Sequence, residues 1–329
     1  MTNAIEARDL VVTNGVLTAV RGVSFAVPAG GRLGLVGESG SGKTLTALAL
    51  IGLLPMGWRA EGRVLHDGVD LVELSDRVLS RRRGRTLSMI FQDPLSALDP
   101  VTRVGEQIAA IVRRHAGASR EEAVRRATEL ISDMRLPRPE QIVRAYPHEL
   151  SGGQRQRIMI AMALACHPQL IIADEPTTAL DVTVQKQVLR LLDRAVRERG
   201  SALLMITHDL PIIAAMCDTV AVMYAGRIVE IGPVAGVFRT PRHRYTRALL
   251  DSQPTLDNIA LDGSSRLPFI SGIVPPLNAL PAGCAFHPRC AAATAICAAR
   301  TPALEGDSSR AACWHPVSAA EPVSVRSSS

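Results

Sequence analysis

The chain has 329 residues, of which 47% are hydrophobic and 21% are charged, a composition typical of a soluble globular protein with room for more than one domain. It contains two tryptophans and three tyrosines, which disfavours a protein that works by stacking aromatic side chains on nucleic-acid bases. A formal net charge of +6 suits an anionic ligand, membrane headgroups or nucleic acid, and it does not choose among them.

The N-terminus and the apolar runs show no sign of membrane insertion. Glu6, Arg8 and Asp9 are followed by no apolar segment of the kind found in a secretory signal. The longest apolar runs, at residues 158–166 and 202–207, are too short to cross a bilayer. We therefore expect a cytosolic protein whose partners supply the membrane spans if it works at a membrane.

Short apolar runs alternate with helical patterns along the first 240 residues. In chain order the sequence predicts a strand at 33–37, a helix at 44–54, a strand at 86–91, helices at 121–134 and 150–165, a strand at 170–173, a helix at 182–199 and a strand at 202–207. Continuous apolar strands of this length are typical of parallel sheets buried on both faces. The pattern therefore predicts an α/β fold around a mostly parallel sheet.

The composition changes near Thr240, after which proline and cysteine become frequent. Four of the six cysteines lie beyond this point, at positions 284, 290, 297 and 313. We expect a core domain at residues 1–240 and a Pro/Cys-rich C-terminal extension at residues 241–329.

A phosphate-binding loop is predicted where the strand at 33–37 ends. Residues 37–44 fit the pattern G-x-x-x-x-G-K-[ST] and lie between a strand and a helix, as that motif requires. The glycines let backbone N–H groups approach phosphate oxygens, while Lys43 reaches the β- and γ-phosphates and the Thr44 hydroxyl ligates Mg²⁺. A strand–helix turn without ligand and a dinucleotide-binding loop are the alternatives, and the Lys43–Thr44 pair disfavours them. The predicted ATP-binding residues here are Gly37, Glu38, Ser39, Gly40, Ser41, Gly42, Lys43 and Thr44.

Two acidic residues end the apolar strand at 170–173. Asp174 is placed to hold Mg²⁺ through a water, and Glu175 is placed to polarise the water that attacks the phosphate. Many strands end in an acid by chance, so this signal is weak alone. Beside the phosphate loop it becomes strong, because hydrolysis needs both a metal ligand and a group that positions water.

A serine and two glycines open the helix at 150–165. Ser151, Gly152 and Gly153, followed by Gln154, form a second potential anion site without a lysine. The alternative is an ordinary helix cap, in which Ser151 accepts from backbone N–H groups and the glycines only make the turn.

Taken together, these motifs resemble the nucleotide-binding subunits of ABC transporters. Leu150–Gln154 reproduces the LSGGQ signature of that family, Gln92 matches its Q-loop glutamine and His208 its switch histidine. Ala179, Leu180 and Asp181 match the D-loop. The resemblance covers about residues 5–240 and implies the phosphate-loop NTPase fold of ABC ATPases, with a helical subdomain at about residues 93–165.

The resemblance also implies a mechanism. Two ATPase subunits pack head to tail, and each ATP with its Mg²⁺ lies between the phosphate loop of one subunit and the signature residues of the other. Glu175 then acts as general base, His208 contacts the γ-phosphate, and Gln92 senses both Mg²⁺ and the transmembrane partner. One departure is visible, because no aromatic residue in 13–20 is available to stack on adenine, which points to an aliphatic contact such as Val20.

A narrower resemblance is to the ATPases of dipeptide, oligopeptide and nickel importers. It is carried by residues 89–100, residues 146–149 and the stretch from Val274 to Cys290. It implies import of di- or oligopeptides, with a second and different ATPase subunit, two transmembrane permease subunits and an extracytoplasmic binding protein as partners. It also implies a peripheral position on the cytoplasmic face of the inner membrane and no nucleic-acid partner.

Other functions remain open at this point. A nickel-chelate or glutathione importer is an alternative, because the ATPase does not touch the transported substrate. A soluble ABC ATPase acting on nucleic acid or ribosomes is disfavoured, since such proteins usually carry long coiled coils, inserted zinc modules or tandem ATPase domains. A regulatory subunit without catalysis is disfavoured by the presence of Lys43, Glu175 and His208.

The four cysteines of the extension suggest a metal centre. Cys284, Cys290, Cys297 and Cys313 are separated by five, six and fifteen residues, whereas structural zinc usually shows close C-x₂₋₄-C pairs. Four thiolates suit a [4Fe–4S] cluster or Zn²⁺, and the spacing favours the cluster. Disulfides are disfavoured in a reducing cytosol, and unligated cysteines remain the other alternative. The resemblance adds that related peptide-importer ATPases carry such a cluster on this extension.

Overall fold

The computed structural model describes residues 2–178, 180–253 and 269–318. The strands are β1 (Asn3–Thr13), β2 (Thr18–Pro28), β3 (Arg32–Val36), β4 (Arg59–His66), β5 (Val69–Asp70), β6 (Leu87–Ile90), β7 (Leu170–Asp174), β8 (Ala202–Thr207), β9 (Thr219–Tyr224), β10 (Arg227–Pro233) and β11 (Arg310–Ala311). The helices are α1 (Lys43–Leu50), α2 (Asp76–Arg82), α3 (Pro94–Ala97), α4 (Val104–Ala116), α5 (Arg120–Asp133), α6 (Pro139–Ile142), α7 (Gly152–Ala163), α8 (Val182–Arg199), α9 (Leu210–Met216), α10 (Val234–Arg239), α11 (Arg244–Asp251) and α12 (Ala295–Ala299). Short 3₁₀ turns lie at Pro147–Glu149, Leu277–Ala279 and His287–Arg289.

The central sheet of the described residues has the strand order β11-β10-β9-β3-β8-β7-β6. Its strands β9, β3, β8, β7 and β6 are mutually parallel, whereas β10 pairs antiparallel with β9 and β11 pairs antiparallel with β10. Strands β3, β7 and β8 are buried at every residue because both faces of the sheet are covered. The predicted α/β fold with a mostly parallel sheet is therefore confirmed.

The register of the parallel strands brings their carboxyl ends to one edge. Val36 of β3 pairs with Thr207 of β8, Asp174 of β7 pairs with Ile206, and Ile90 of β6 pairs with Ala173. The loops that leave these four strands therefore begin side by side, which is where ligand sites form in open α/β sheets.

A second, antiparallel sheet with the order β2-β1-β4-β5 lies beside this core. The sequence patterns assign no strand to residues 3–28, because irregularities interrupt the alternation that would reveal them. The pairing of β1 with β2 shifts register between Ala7 and Leu10, next to Asp9 with a φ of 47°. Beyond Gly22, the alternation of buried Val23, Phe25 and Val27 is regular and is the signal that could reveal β2.

The helices between β6 and β7 pack into the same apolar core as one face of the sheet. Ile108 of α4, Leu130 and Ile131 of α5, and Ile158 of α7 are fully buried in it. The predicted helices at 121–134 and 150–165 correspond to α5 and α7 with bounds displaced by one or two residues. In the ranges 2–178, 180–253 and 269–318, no helix has the length and apolarity needed to cross a membrane.

Described residues beyond position 240 are anchored on the sheet and on an aromatic cluster. Strand β11 extends the sheet by pairing Ala311 with Glu230 of β10. Phe286, only 3% exposed, lies 5.4 Å from the ring centres of both Tyr224 and Tyr245. Aromatic pairs of this geometry add about 0.5–1.5 kcal/mol each beyond their area burial.

His243 caps the start of α11 from a fully buried position. Its Nδ1 accepts from the Tyr245 backbone N–H at 3.0 Å, and the backbone N–H of His243 donates to the buried Glu230 carboxylate at 2.9 Å. Burial lowers the pKa of His243 from 6.5 to about 3, since the charged imidazolium would be cut off from water. The folded protein therefore holds this side chain neutral.

We predict that acid destabilises the fold through His243. The pKa of His243 is lower in the folded chain than in the unfolded chain. Below pH 6.5 the unfolded chain therefore binds a proton that the folded chain does not bind, and stability falls as the pH drops from 6.5 toward 3. Between pH 7 and pH 5 the loss is about 2 kcal/mol for one such group. The measurement is urea unfolding at both pH values for the wild type and for His243→Asn, since asparagine also caps helices.

The variant is expected to show the smaller decrease in stability between the two pH values. The decrease in the wild type is compared with that in the variant because Glu230 also contributes to the pH dependence. Burial raises the pKa of Glu230, so its contribution to stability increases as the pH falls, opposite to that of His243. His148→Asn, at an exposed position, is the control and should retain the wild-type decrease. An equal decrease in the wild type and in His243→Asn would contradict the assignment.

Candidate active site

The phosphate loop runs from β3 into α1 and packs closely against the backbone of β2 and β9. Gly42 has a φ of 101°, and a Cβ built on it would lie 2.6 Å from the carbonyl oxygen of Ala19. At Gly37 an added Cβ would lie 2.1 Å from the carbonyl oxygen of Met223. Both positions therefore require glycine, and the first N–H groups of α1, which have no intrahelical acceptor, are available to an anion.

Lys43 folds back over this loop. Its Nζ donates to the carbonyl oxygens of Gly37 at 2.8 Å and Glu38 at 3.0 Å, and the residue is 6% exposed. Burial lowers the pKa of Lys43, while the carboxylates of Glu175, Asp174 and Glu38 oppose that shift. The ammonium thus lies at the centre of the loop, where it can exchange these carbonyl contacts for phosphate oxygens.

Asp174 ends β7 with a carboxylate that is 1% exposed. Its Oδ1 has no hydrogen-bond partner among the described residues, and burial raises its pKa against the effect of a hydrogen bond from Thr44. A buried, unpartnered oxygen beside the threonine of the phosphate loop fits a site for Mg²⁺, which prefers carboxylate, hydroxyl and water oxygens.

Glu175 is held by three side chains at the end of the neighbouring strands. Its Oε1 lies 3.1 Å from His208 Nδ1, and its Oε2 accepts from the Thr178 hydroxyl at 2.9 Å and from Gln92 Nε2 at 3.4 Å. The structure thus brings together Glu175, Gln92 and His208, three of the residues singled out in the sequence. Thr178 is an additional partner that the motifs do not indicate.

The backbone and the charge of Glu175 suit a base. Its φ of 45° is unusual for a residue with a side chain, and such strain is concentrated at functional sites. Burial alone would raise the pKa of Glu175, but hydrogen bonds from His208 and Thr178, together with the charge of Lys43, lower it below its ordinary value. The carboxylate is therefore ionised near neutral pH and able to accept a proton.

The signature residues open α7 on a different surface. The Ser151 hydroxyl accepts from Gln154 N–H at 3.3 Å, and Gln154 Oε1 accepts from Ser151 N–H at 2.8 Å, which is a reciprocal helix cap. Gly153 has no room for a side chain, since a Cβ would lie 2.6 Å from Val184. These residues line a cavity of about 820 Å³, counting the space open to solvent, and the described residues around it include none of Gly37 to Thr44.

Asp181 lines the same cavity and caps α8. Its Oδ1 accepts from the backbone N–H groups of Thr183 and Val184, both at 3.0 Å. Its carboxylate is thus already engaged in the helix cap. Ala179 of the predicted D-loop lies outside the described residues.

Val20 does not offer the adenine contact expected from the sequence. Its side chain is 0% exposed and belongs to the apolar core. The expectation is wrong for this conformation because β2 turns Val20 inward.

The four cysteines of the extension line one cavity of about 300 Å³, together with Phe286, Trp314 and other residues. All six cysteines are free thiols, so the disulfide alternative finds no support. Burial raises the pKa of Cys284 and of Cys290. Within the described residues, no group of three or more His, Cys, Asp or Glu side chains is arranged to hold a metal ion.

Arg289 makes a second contact at this site that sequence motifs do not reveal, after that of Thr178. It forms an ion pair with Glu38 of the phosphate loop, with NH1 2.7 Å from Oε2 and NH2 3.1 Å from Oε1. The two residues are 251 positions apart, and the only local sign is that Arg289 precedes one of the clustered cysteines.

The fold and these side chains define a phosphate-loop ATPase. Residues 20–178 match the family model described as ABC transporter, and residues 229–297 match that of the oligopeptide/dipeptide transporter C-terminal region. The chain is 46% identical over 319 residues to the oligopeptide transport ATP-binding protein OppD of Salmonella typhimurium, covering 95% of this chain and 94% of that protein. It is 47% identical over 310 residues to the probable D,D-dipeptide transport ATP-binding protein DdpD of Escherichia coli, covering 92% of each.

A solved structure supports the same assignment. The dimeric structure of MJ0796, described as a bacterial ABC transporter cassette, superposes with a TM-score of 0.62 at 28% identity, covering 70% of this chain and 98% of that one. The protein therefore belongs to the ABC transporter ATPases, and within them to the group with an oligopeptide/dipeptide transporter C-terminal region.

We predict that Glu175→Gln retains ATP binding and loses hydrolysis. The amide keeps the size of the side chain but cannot accept the proton of the attacking water, and loss of one positioned base costs about 10²–10⁴-fold in rate. Phosphate release and equilibrium ATP binding should be measured in an assembled transporter whose partner ATPase carries the corresponding change.

The matched control is Glu198→Gln on the exposed face of α8, where Glu198 pairs with Arg194 and with no other described residue. It should hydrolyse ATP at the wild-type rate. A wild-type rate in the Glu175→Gln complex would show that another group is the base.

Proposed function

We propose that this chain hydrolyses ATP to drive an importer of di- or oligopeptides. The ATPase activity follows from its family, and the observation that carries the catalytic assignment is the cluster of Glu175 with Gln92 and His208 beside Lys43. The peptide substrate class is supported by the match at residues 229–297 and by the relatives named for oligopeptide and dipeptide transport.

In the proposed reaction, the phosphate loop and Lys43 bind the triphosphate of ATP. Mg²⁺, held by Thr44, Gln92 and Asp174, would neutralise charge on the phosphate oxygens. Glu175 accepts the proton of the attacking water, and His208 orients Glu175 and contacts the γ-phosphate. Gln92, exposed at the start of the loop after β6, couples the site to the membrane partner.

The partners are part of the proposal. The assembly contains a second, different ATPase subunit, two transmembrane permease subunits and an extracytoplasmic binding protein, with this chain peripheral on the cytoplasmic face of the inner membrane. It is supported by the membership in the peptide transporter group. Nucleic acid has no place in it.

The signature residues are proposed to act on the partner's ATP. Ser151 and Gly152 are exposed at the N-terminus of α7, and their cavity is lined by residues around the start of α8, such as Asp181 and Val184, and not by the phosphate loop of the same chain. Ser151, Gly152, Gly153 and Gln154 would therefore complete a site across the dimer interface, with Asp181 at its edge.

We predict that Ser151→Arg in this chain impairs ATP binding at the partner's site. The arginine fills the space at the N-terminus of α7 that a γ-phosphate would occupy. Photolabelling of each subunit with an azido-ATP in the assembled complex separates the two sites, and the partner's labelling should fall. Loss of labelling in this chain alone would refute the head-to-tail arrangement.

Ser119→Arg provides the control. Ser119 caps α5 by accepting from Glu122 N–H at 3.2 Å, so its replacement removes a cap of the same type and costs about 1 kcal/mol, as at Ser151. Labelling of both subunits should stay at the wild-type level.

The four cysteines of the extension are proposed to hold a [4Fe–4S] cluster. The support is that Cys284, Cys290, Cys297 and Cys313 all line one cavity, although their present arrangement would hold no single metal ion. Four thiolates from one segment are a common ligand set for such a cluster. Its role would be structural, tying together a segment with few helices and strands, because ATP hydrolysis involves no redox step.

We predict stoichiometric iron and sulfide in the full-length chain purified without oxygen, and their loss in Cys290→Ser, since removal of one thiolate leaves an incomplete ligand set. Cys166→Ser is the control because Cys166 lies outside this cavity and contacts the Ile111 carbonyl oxygen. Stoichiometric zinc, or an unchanged metal content in Cys290→Ser, would falsify the cluster.

A further inference from the structure

Glu38, the second residue of the phosphate loop, is held at each of its polar groups. Its carboxylate receives the two-pronged contact of Arg289, its backbone N–H donates to the Tyr245 hydroxyl at 2.9 Å, and its carbonyl oxygen accepts from Lys43 Nζ at 3.0 Å. Two of these three anchors come from residues beyond 240. The chain after the ATPase motifs therefore fixes the first turn of the loop.

Arg289 is itself fully engaged. Nε donates to the Ser271 carbonyl oxygen at 2.9 Å, NH1 to Glu38 and to the Tyr224 hydroxyl at 3.3 Å, and NH2 to Glu38 and to the Ile270 carbonyl oxygen at 3.2 Å. All five N–H donors of a guanidinium thus have an acceptor. The side chain is 5% exposed, and its Cζ lies 5.8 Å from the ring centre of Tyr224.

This arrangement is rigid and matched in charge. A buried guanidinium with every donor satisfied has one favourable orientation, so the Glu38 carboxylate is held in one place. The Glu38 side chain is 23% exposed, and without Arg289 its negative charge would face the loop that receives a triphosphate. The Tyr245 contact also occupies the Glu38 N–H, so this amide is not available to bind phosphate.

We propose that Arg289 is a positioning residue for ATP binding, acting through Glu38 on the shape and charge of the phosphate loop. The proposal rests on the proposed ATP site and adds a residue of the C-terminal extension to it. Arg289 contacts no reacting atom, so it sets the affinity for ATP and leaves the hydrolytic step unchanged.

The test replaces Arg289 by Met in the full-length chain, assembled with its partners. The KM for ATP should rise about tenfold or more, because a buried hydrogen-bonded charge pair is broken, while kcat at saturating ATP changes by less than about twofold. Glu38→Gln in the Arg289→Met background should restore much of the affinity, since it removes the unpaired carboxylate. A residue that only stabilised the extension would show no such rescue.

Two further variants control for the loss of an arginine elsewhere and for misfolding of Arg289→Met. Arg247→Met removes the hydrogen bonds that Nε of Arg247 donates to both carboxylate oxygens of Asp251 in α11, each at 2.9 Å. Among the described residues Arg247 makes no hydrogen bond to the phosphate loop, so this variant should leave the KM unchanged. Arg289→Lys keeps the cation but has too few donors for these contacts, so it should raise the KM about threefold, and it replaces Arg289→Met if that variant does not fold.

The inference is overturned by a wild-type KM in the Arg289 variants, by an equal rise in Arg247→Met, or by the absence of rescue in the double variant. Lys43→Ala distinguishes failure of the proposed site itself. If Lys43→Ala retains ATP binding, the ATP site is wrong. If Lys43→Ala loses binding while the Arg289 variants keep it, only the role of Arg289 is wrong.

Discussion

The register of four parallel strands is the constraint on which the site depends. Strands β3, β8, β7 and β6 are neighbours, and their last residues pair almost in step. The phosphate loop, His208, Glu175 and Gln92 each follow one of these ends. Because side chains alternate between the faces of a sheet, a slip of one residue in β7 would turn Asp174 and its neighbours to opposite faces. The fully buried apolar side chains of these strands make such a slip costly, so the packing of the core fixes the geometry of the site.

Charge balance is the second requirement, because a triphosphate must enter a loop surrounded by acids. The carboxylates of Glu38, Asp174 and Glu175 all act to raise the pKa of the buried Lys43, against the effect of burial. Two of these acids have partners within the protein: Glu38 forms an ion pair with Arg289, and Glu175 is hydrogen-bonded to His208, Thr178 and Gln92. Asp174 retains an oxygen without a partner among the described residues. The remaining need for positive charge is therefore concentrated where a divalent cation would accompany the nucleotide.

Much of this site can be predicted from the sequence, and the part that cannot has a physical reason. Val182–Arg199 and Ala202–Thr207 have the predicted bounds, since a strong helical pattern ends at Gly200 and a continuous apolar run follows. The antiparallel strands β1 and β2 escape prediction because register shifts break their alternation. The Arg289–Glu38 pair cannot be predicted from the sequence, because a contact between residues 251 positions apart produces no periodic sequence pattern. Local patterns thus predict the catalytic strand ends, whereas the supports of the phosphate loop follow from tertiary packing.

The C-terminal extension is bound to the ATPase core by a set of contacts that share residues with one another. Phe286 packs on Tyr224 and Tyr245, Tyr245 accepts from the Glu38 N–H, and Arg289 holds the Glu38 carboxylate. Arg289 and Cys290 are consecutive, so their Cα atoms lie about 3.8 Å apart whatever the conformation of the rest of the segment. The same short segment, Cys284–Cys290, joins the cavity of the four thiols to Glu38 of the phosphate loop, so the extension and the loop are connected through consecutive residues of one chain segment.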